Sequence, residues 1–186
     1  IHYGDTKHAA QNAWSSVGSM DNDAFRAADG EMVTRADMTL GGAKVSVSLG
    51  DDTNLTTATP PGTETDYMSL GITGTAGAFT YALAAQNANT AWLDNDDNKA
   101  ASQLSTTGVL VSTTWGGATV ALGHSTNNNG GSTGVEVSYP MGALTTTASY
   151  VAEDATGAKA NWDVKVVYAE GAMGVTVATD ESDDWN

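Results

Sequence analysis

The chain reads as an all-β protein, a transmembrane antiparallel up-and-down β-barrel, and three features of the sequence predict it. Apolar and polar residues alternate over stretches of about nine residues, the period of a strand whose two faces meet different surroundings. Very short turns of small residues alternate with longer connections rich in Asp, Asn, Thr, Gly and Pro, the rhythm of hairpins set side by side. The polar side of the stretches carries Ser, Thr, Gly and Ala with an occasional charge, which suits a wet lumen better than the charged, solvated face of a soluble sheet.

Residues 1–30 stand apart from this rhythm. They open with a strand-like Ile1 to Tyr3, continue through Lys7 to Val17, whose Ala, Gln and Trp permit a helical turn or two, and end in an acidic coil, Asp21 to Asp29. Five hairpins then follow in residues 31–186. The first pairs Glu31–Leu40 with Ala43–Gly50 across Gly41-Gly42, and the second pairs Asp66–Gly74 with Gly77–Gln86 across Thr75-Ala76. The third pairs Thr106–Trp115 with Ala118–Ser125 across Gly116-Gly117, and the fourth pairs Ser132–Tyr139 with Ala143–Ala152 across Pro140-Met141-Gly142. The last pairs Asn161–Ala169 with Ala172–Asp180 across Glu170-Gly171. Glycine at each turn matches the positive backbone torsions that tight hairpins demand. The connections 51–65, 87–105, 126–131 and 153–160 form the opposite, loop-bearing rim. One domain, residues 1–186, accounts for the whole pattern.

Face by face, Val45, Val47 and Leu49 alternate with Lys44, Ser46 and Ser48, and the same split recurs in residues 79–84, 135–139 and 144–150. Strands of about 9–11 residues are long enough to cross a bilayer when tilted. Trp115 and Tyr139 fall beside tight turns, while Tyr67, Tyr150 and Trp162 fall near loop ends, as two interfacial girdles require. No apolar run reaches the length of a membrane-spanning helix. Seven Lys and Arg against 22 Asp and Glu, a net charge of -15, exclude a nucleic-acid binder, because phosphate neutralisation needs clustered cations. Five Trp, six Tyr and the regular alternation argue against disorder despite a hydrophobic fraction of only 40%.

Strand parity also assigns the charged residues. Arg35 and Asp37 share a face with Val33 and Thr39, opposite Met32, Ala36, Met38 and Leu40, and the same reasoning turns Lys44, Glu136, Asp163 and Lys165 inward. A charge on the lipid face near the bilayer midplane costs about 2–4 kcal/mol, so the inward assignment is the favoured one. The acidic runs around Asp51 and Asp52 and around Asp94, Asp96 and Asp97 offer hard oxygen ligands for Ca²⁺, but they lack the twelve-residue loop with its glycine and terminal Glu, and a solvated loop is the plainer reading. His2, His8 and His124 are scattered without ligand spacing and read as ordinary surface or strand histidines. With no cysteine, no Gly-x-Ser-x-Gly, no phosphate loop and no convergent acid, base and nucleophile, the chain is not an enzyme by its sequence. No cofactor is required.

The opening Ile1-His2-Tyr3-Gly4-Asp5, running through Ala9-Ala10 into the acidic stretch 21–29, resembles the strand of alphaproteobacterial general-diffusion porins that ends in Gly-Asp and leads into their long third loop. The unit Asp66–Gln86 is similar to the periplasmic hairpins of the same family. The resemblance covers essentially the whole chain through degenerate motifs. It implies a channel for passive diffusion of ions and small hydrophilic solutes, in the outer membrane of a Gram-negative bacterium, assembled as a homotrimer among outer-membrane lipid and lipopolysaccharide. It also implies that the third loop folds inward and sets carboxylates against basic wall residues. Asp5, Asp21, Asp23, Asp29 and Glu31 are the residues available for that acidic part, with Asp21 and Asp23 foremost and a solvated loop as the plain alternative. Divalent ions at loops belong to the same implication. Because acidic residues outnumber basic ones in the loops, the channel mouth is expected to concentrate cations.

Porins of this kind have about sixteen strands in a longer chain and end on an aromatic strand, whereas this sequence offers ten hairpin strands and one partial strand and stops at Trp185-Asn186. An internal portion of such a barrel is therefore the expectation, with a complete ten-stranded barrel as its competitor. A water-soluble acidic adhesin or surface-layer module is the reading from a different class, since its strands would alternate too.

Overall fold

Eleven strands in hairpin succession and one short helix make up the computed structural model, which describes residues 1–20, 23, 25, 32–51, 66–87, 105–128, 130–154, 159–171 and 173–180, with the backbone alone at 51, 66 and 67. After β1 (His2–Gly4) and α1 (Ala9–Ala13) come β2 (Met32–Leu40), β3 (Ala43–Asp51), β4 (Asp66–Ala76), β5 (Phe79–Gln86) and β6 (Thr106–Trp115). The remainder are β7 (Ala118–Asn127), β8 (Gly130–Met141), β9 (Leu144–Glu153), β10 (Asn161–Glu170) and β11 (Met173–Asp180). Hydrogen-bonded order in the sheet equals chain order from β1 to β11, the up-and-down connectivity expected of short hairpins.

The turns follow one rule more strictly than the sequence suggests. β4 runs on through Ala76 and turns at Gly77-Ala78, not at Thr75-Ala76, because Gly77 at φ 63° supplies the left-handed torsion that neither Thr75 nor Ala76 would adopt cheaply. Likewise Pro140 and Met141 stay in β8, paired with Thr145 and Leu144, and the turn falls two residues on from Pro140, beginning at Gly142. Glu170 pairs with Met173, so the last turn begins at Gly171 rather than at Glu170. A larger correction concerns residues 126–131. They are not a long loop, since Asn127 pairs directly with Gly130 and the ladder of β7 and β8 continues to their ends. Asn, Gly and Ser read as loop composition, yet here they are hairpin chemistry.

Two compact units divide the strands. The first comprises Ile1–Trp14, Ala24–Gly74 and Ala82–Gly108, and the second Ser15–Asp23, Thr75–Tyr81 and Val109–Asn186.

In the first unit, β2 and β3 pair in register from Met32↔Asp51 to Leu40↔Ala43, and β3 continues onto β4 with Ser48↔Ser69 and Val47↔Leu70. The parity reading holds along these strands: Val33, Arg35, Ser46, Ser48 and Ser69 are buried, while Met32, Val47, Leu49, Met68 and Leu70 are exposed. In the second unit the same division separates buried Ser125, Ser132, Ser149 and Val151 from exposed Leu122, Val135, Val137 and Tyr150. Burial is thus inverted relative to a water-soluble protein, where leucine and valine lie inside and serine outside. Trp162 stands across from Tyr150 on the exposed face near the loop end, and Trp115 and Tyr139 occupy the turn end, with Trp115 81% exposed.

Candidate functional site

What lies on the small-residue face of the sheet is the amino-terminal segment. Within the first unit, α1 begins at N-cap His8, whose side chain makes no capping bond, so the first helical N–H groups look elsewhere. The sheet supplies the acceptors: Ala9 N–H donates to Ser48 Oγ at 2.9 Å and Ala10 N–H to Ser69 Oγ at 3.1 Å, and the two hydroxyls, cross-strand partners, lie 2.8 Å apart. His8 itself is buried, with Nδ1 3.4 Å from Ser48 Oγ and its ring over Gly50. This corrects the reading of His8 as an ordinary surface or strand residue. The Ala9 carbonyl sits over Gly71, and the Trp14 ring lies against Gly108 and 5.5 Å from the ring of Phe25. A Cβ on any of these three glycines would collide with the segment, so their bare backbone is what admits it.

Charge gathers beside this contact. Arg35 is only 7% exposed; its Nε donates to Asp37 Oδ1 at 3.0 Å and its Nη1 to the Lys7 carbonyl at 2.7 Å. Asp37 also meets His2 Nε2 at 3.2 Å and Lys44 Nζ at 3.7 Å, both of which are about half exposed. Three groups that can carry positive charge thus converge on one carboxylate.

The second unit holds its own covered face. Val17 and Met20 are buried against Gly123, Val17 also lies over Gly134, and Gly18 packs on Ser149 and Val151. Ser16 donates to Asp23, which fixes one of the acidic residues singled out in the sequence. Along the sheet, Glu136, Ser149, Asp163 and Asp180 form one cross-strand row, with Ser149 donating to Asp163. Lys165 belongs to the neighbouring row, opposite Thr147 and Ala178.

The predicted residues are therefore placed as follows. Arg35, Asp37 and Lys44 come together in the first unit, and Glu136 and Asp163 share a row in the second with Lys165 beside it. Asp5 is exposed just after β1. Asp21, Asp29, Glu31, Asp52, Asp94, Asp96 and Asp97 lie outside the described residues, as does the side chain of Asp51. Among the described residues no group of three or more His, Cys, Asp or Glu could hold a metal ion. Sequence reasoning missed the serine pair and the strand glycines; the available signal was glycine recurring on the small-residue side of β3, β4, β6, β7 and β8, where strand propensity disfavours it.

A sheet with leucine, valine and methionine on its exposed side, aromatic residues toward the strand ends, and serine, glycine and charge under a backbone segment defines a membrane-spanning outer-membrane β-barrel protein. More particularly, the chain belongs to the Gram-negative porin family, whose model matches residues 2–186. That membership places it in the outer membrane of a Gram-negative bacterium. Solved structures agree on the fold. A mutant of the Rhodopseudomonas blastica porin superposes with a TM-score of 0.72 at 15% identity, and a triple mutant of the same porin with 0.71 at 16%. A third chain, solved under the description "Asymmetric conductivity of engineered proteins", gives 0.71 at 14%. Each alignment covers 96% of this chain and 66% of the other, so the chain spans about two-thirds of the length of those proteins. No curated protein matches its sequence.

Proposed function

We propose that the protein forms a water-filled channel for passive diffusion of ions and small hydrophilic solutes, with a weak preference for cations, and performs no chemistry. The inverted burial carries this reading: a sheet whose exposed side is apolar needs lipid on that side, and its Ser, Thr, Gly and charged side then borders the aqueous path. The amino-terminal segment on that side narrows the path. In this reading Asp5, Asp21, Asp23, Asp29 and Glu31 supply the acidic part of the constriction, and Arg35, Asp37, Lys44, Glu136, Asp163 and Lys165 line the wall. Residues 1–186 act as one barrel domain, and the assembly is a homotrimer surrounded by outer-membrane lipid and lipopolysaccharide. Ca²⁺ at the acidic loops around Asp51 and Asp94 belongs to the same proposal.

The conductivity named for one structural relative supports the channel class. Reversal potentials under a KCl gradient in planar bilayers test the proposal directly. Cation-selective conductance is expected; anion preference would overturn the charge reading, and absence of conductance the channel itself.

A further inference from the structure

We infer that Arg35, Ser48 and Ser69 are positioning residues that fasten residues 7–10 to the sheet and so set the open cross-section of the channel. The inference rests on the channel reading above and adds to it a division of labour among the wall residues. A cation meant to act on passing ions keeps its charge in the aqueous path. Arg35 does otherwise: it is buried, two of its nitrogens face the Asp37 carboxylate, and the third is spent on the Lys7 backbone carbonyl. Lys44, about half exposed on the same face, is the group left to meet solutes.

The serine pair works on the next residues of the segment. Ser48 and Ser69 are each at most 2% exposed, and each accepts one of two consecutive backbone N–H groups that have no intrahelical partner. Replacing either hydroxyl with hydrogen leaves a buried donor without an acceptor, which costs more than the bond itself contributes. Three tethers on residues 7, 9 and 10, with His8 seated over Gly50 and the Ala9 carbonyl over Gly71, leave this stretch no lateral freedom. The segment is thereby registered to β2, β3 and β4 chiefly by backbone atoms, with the His8 ring seated beside them.

Two measurements on the full-length protein decide the matter. In lipid nanodiscs, NMR amide exchange at Ala9 and Ala10 should accelerate roughly five- to tenfold in the S48A/S69A variant, the loss of about one net hydrogen bond at each, while amides of β3 and β4 keep their protection. S69T, which retains the acceptor oxygen, should restore slow exchange at Ala10 when paired with native Ser48. In planar bilayers, S48A/S69A and R35K should each show open-channel noise and added sublevels absent from the native protein. R35K keeps the charge but loses the planar fork that holds Asp37 and the Lys7 carbonyl together, so its added noise reports the lost tether and not a lost charge. Unchanged exchange in S48A/S69A would overturn the role of the serines. A quiet R35K channel would overturn that of Arg35 and return it to the charged wall. If the native protein carries no current, the channel reading and the cross-section claim fall together, while the exchange data still decide whether the segment is fastened.

Discussion

Asp163 of β10 and Asp180 of β11 are direct cross-strand partners on the face that also bears Glu136 and Ser149. Like charges set opposite one another cost roughly 0.2–1 kcal/mol, so a sheet that keeps such a pair gives up some stability for it. In a channel the return is a field that attracts cations. Replacing Asp180 with Asn should therefore move the reversal potential toward zero in a KCl gradient. A reversal potential that stays in place would detach this row from ion selection.

The glycines under the amino-terminal segment should be far less replaceable than glycines elsewhere in the strands. A Cβ on Gly134 would lie 2.6 Å from the Val17 carbonyl oxygen, a backbone atom that cannot rotate away, whereas one on Gly174 would meet nothing nearer than 3.8 Å. Gly134→Ala is expected to lose about 1–3 kcal/mol through overpacking, and Gly174→Ala to change little. Equilibrium urea unfolding in lipid vesicles checks the pair, and equal midpoints would contradict the close approach.

The two faces should respond in opposite ways to the same charge. Val137, exposed in the middle of β8 and paired with Ala148, is predicted to cost about 2–4 kcal/mol when replaced by Arg, because the guanidinium would face hydrocarbon. Ser138→Arg, one residue along and on the other face, should leave folding into vesicles nearly unaffected. Similar losses at both positions would argue for water on both sides.

Much of this was legible in the sequence, and the parts that were not have identifiable causes. Alternation placed Val33, Arg35 and Ser48 on one face and Met32, Val47 and Leu49 on the other because strand geometry fixes side-chain direction residue by residue. Turn positions slipped where composition misled: Pro140 looked like a turn residue yet remains in β8, and Asn127 through Gly130 looked like a loop yet closes a hairpin. Parity put Arg35 on one face with Val33, but the use made of Arg35 was invisible, since its partner is the Lys7 carbonyl and a backbone oxygen has no sequence signature. The same holds for Ser48 and Ser69. Nothing in a serine says that it will accept a hydrogen bond from a residue far along the chain. The family, by contrast, showed itself through the broad pattern of strands and turns, which survives at the 14–16% identity to the solved porins.

The bonds from Ala9 to Ser48 and from Ala10 to Ser69 span 39 and 59 residues, whereas the tight turns, as at Gly41-Gly42 and Gly116-Gly117, join neighbouring strands through two residues. Closing a long loop costs more entropy than closing a short one, and local contacts form sooner. During folding the hairpins should therefore zip up early and residues 7–10 should settle last, onto a sheet already made. The seating of this segment is then the closing step of folding, in which Trp14 passes from solvent to its place on Gly108.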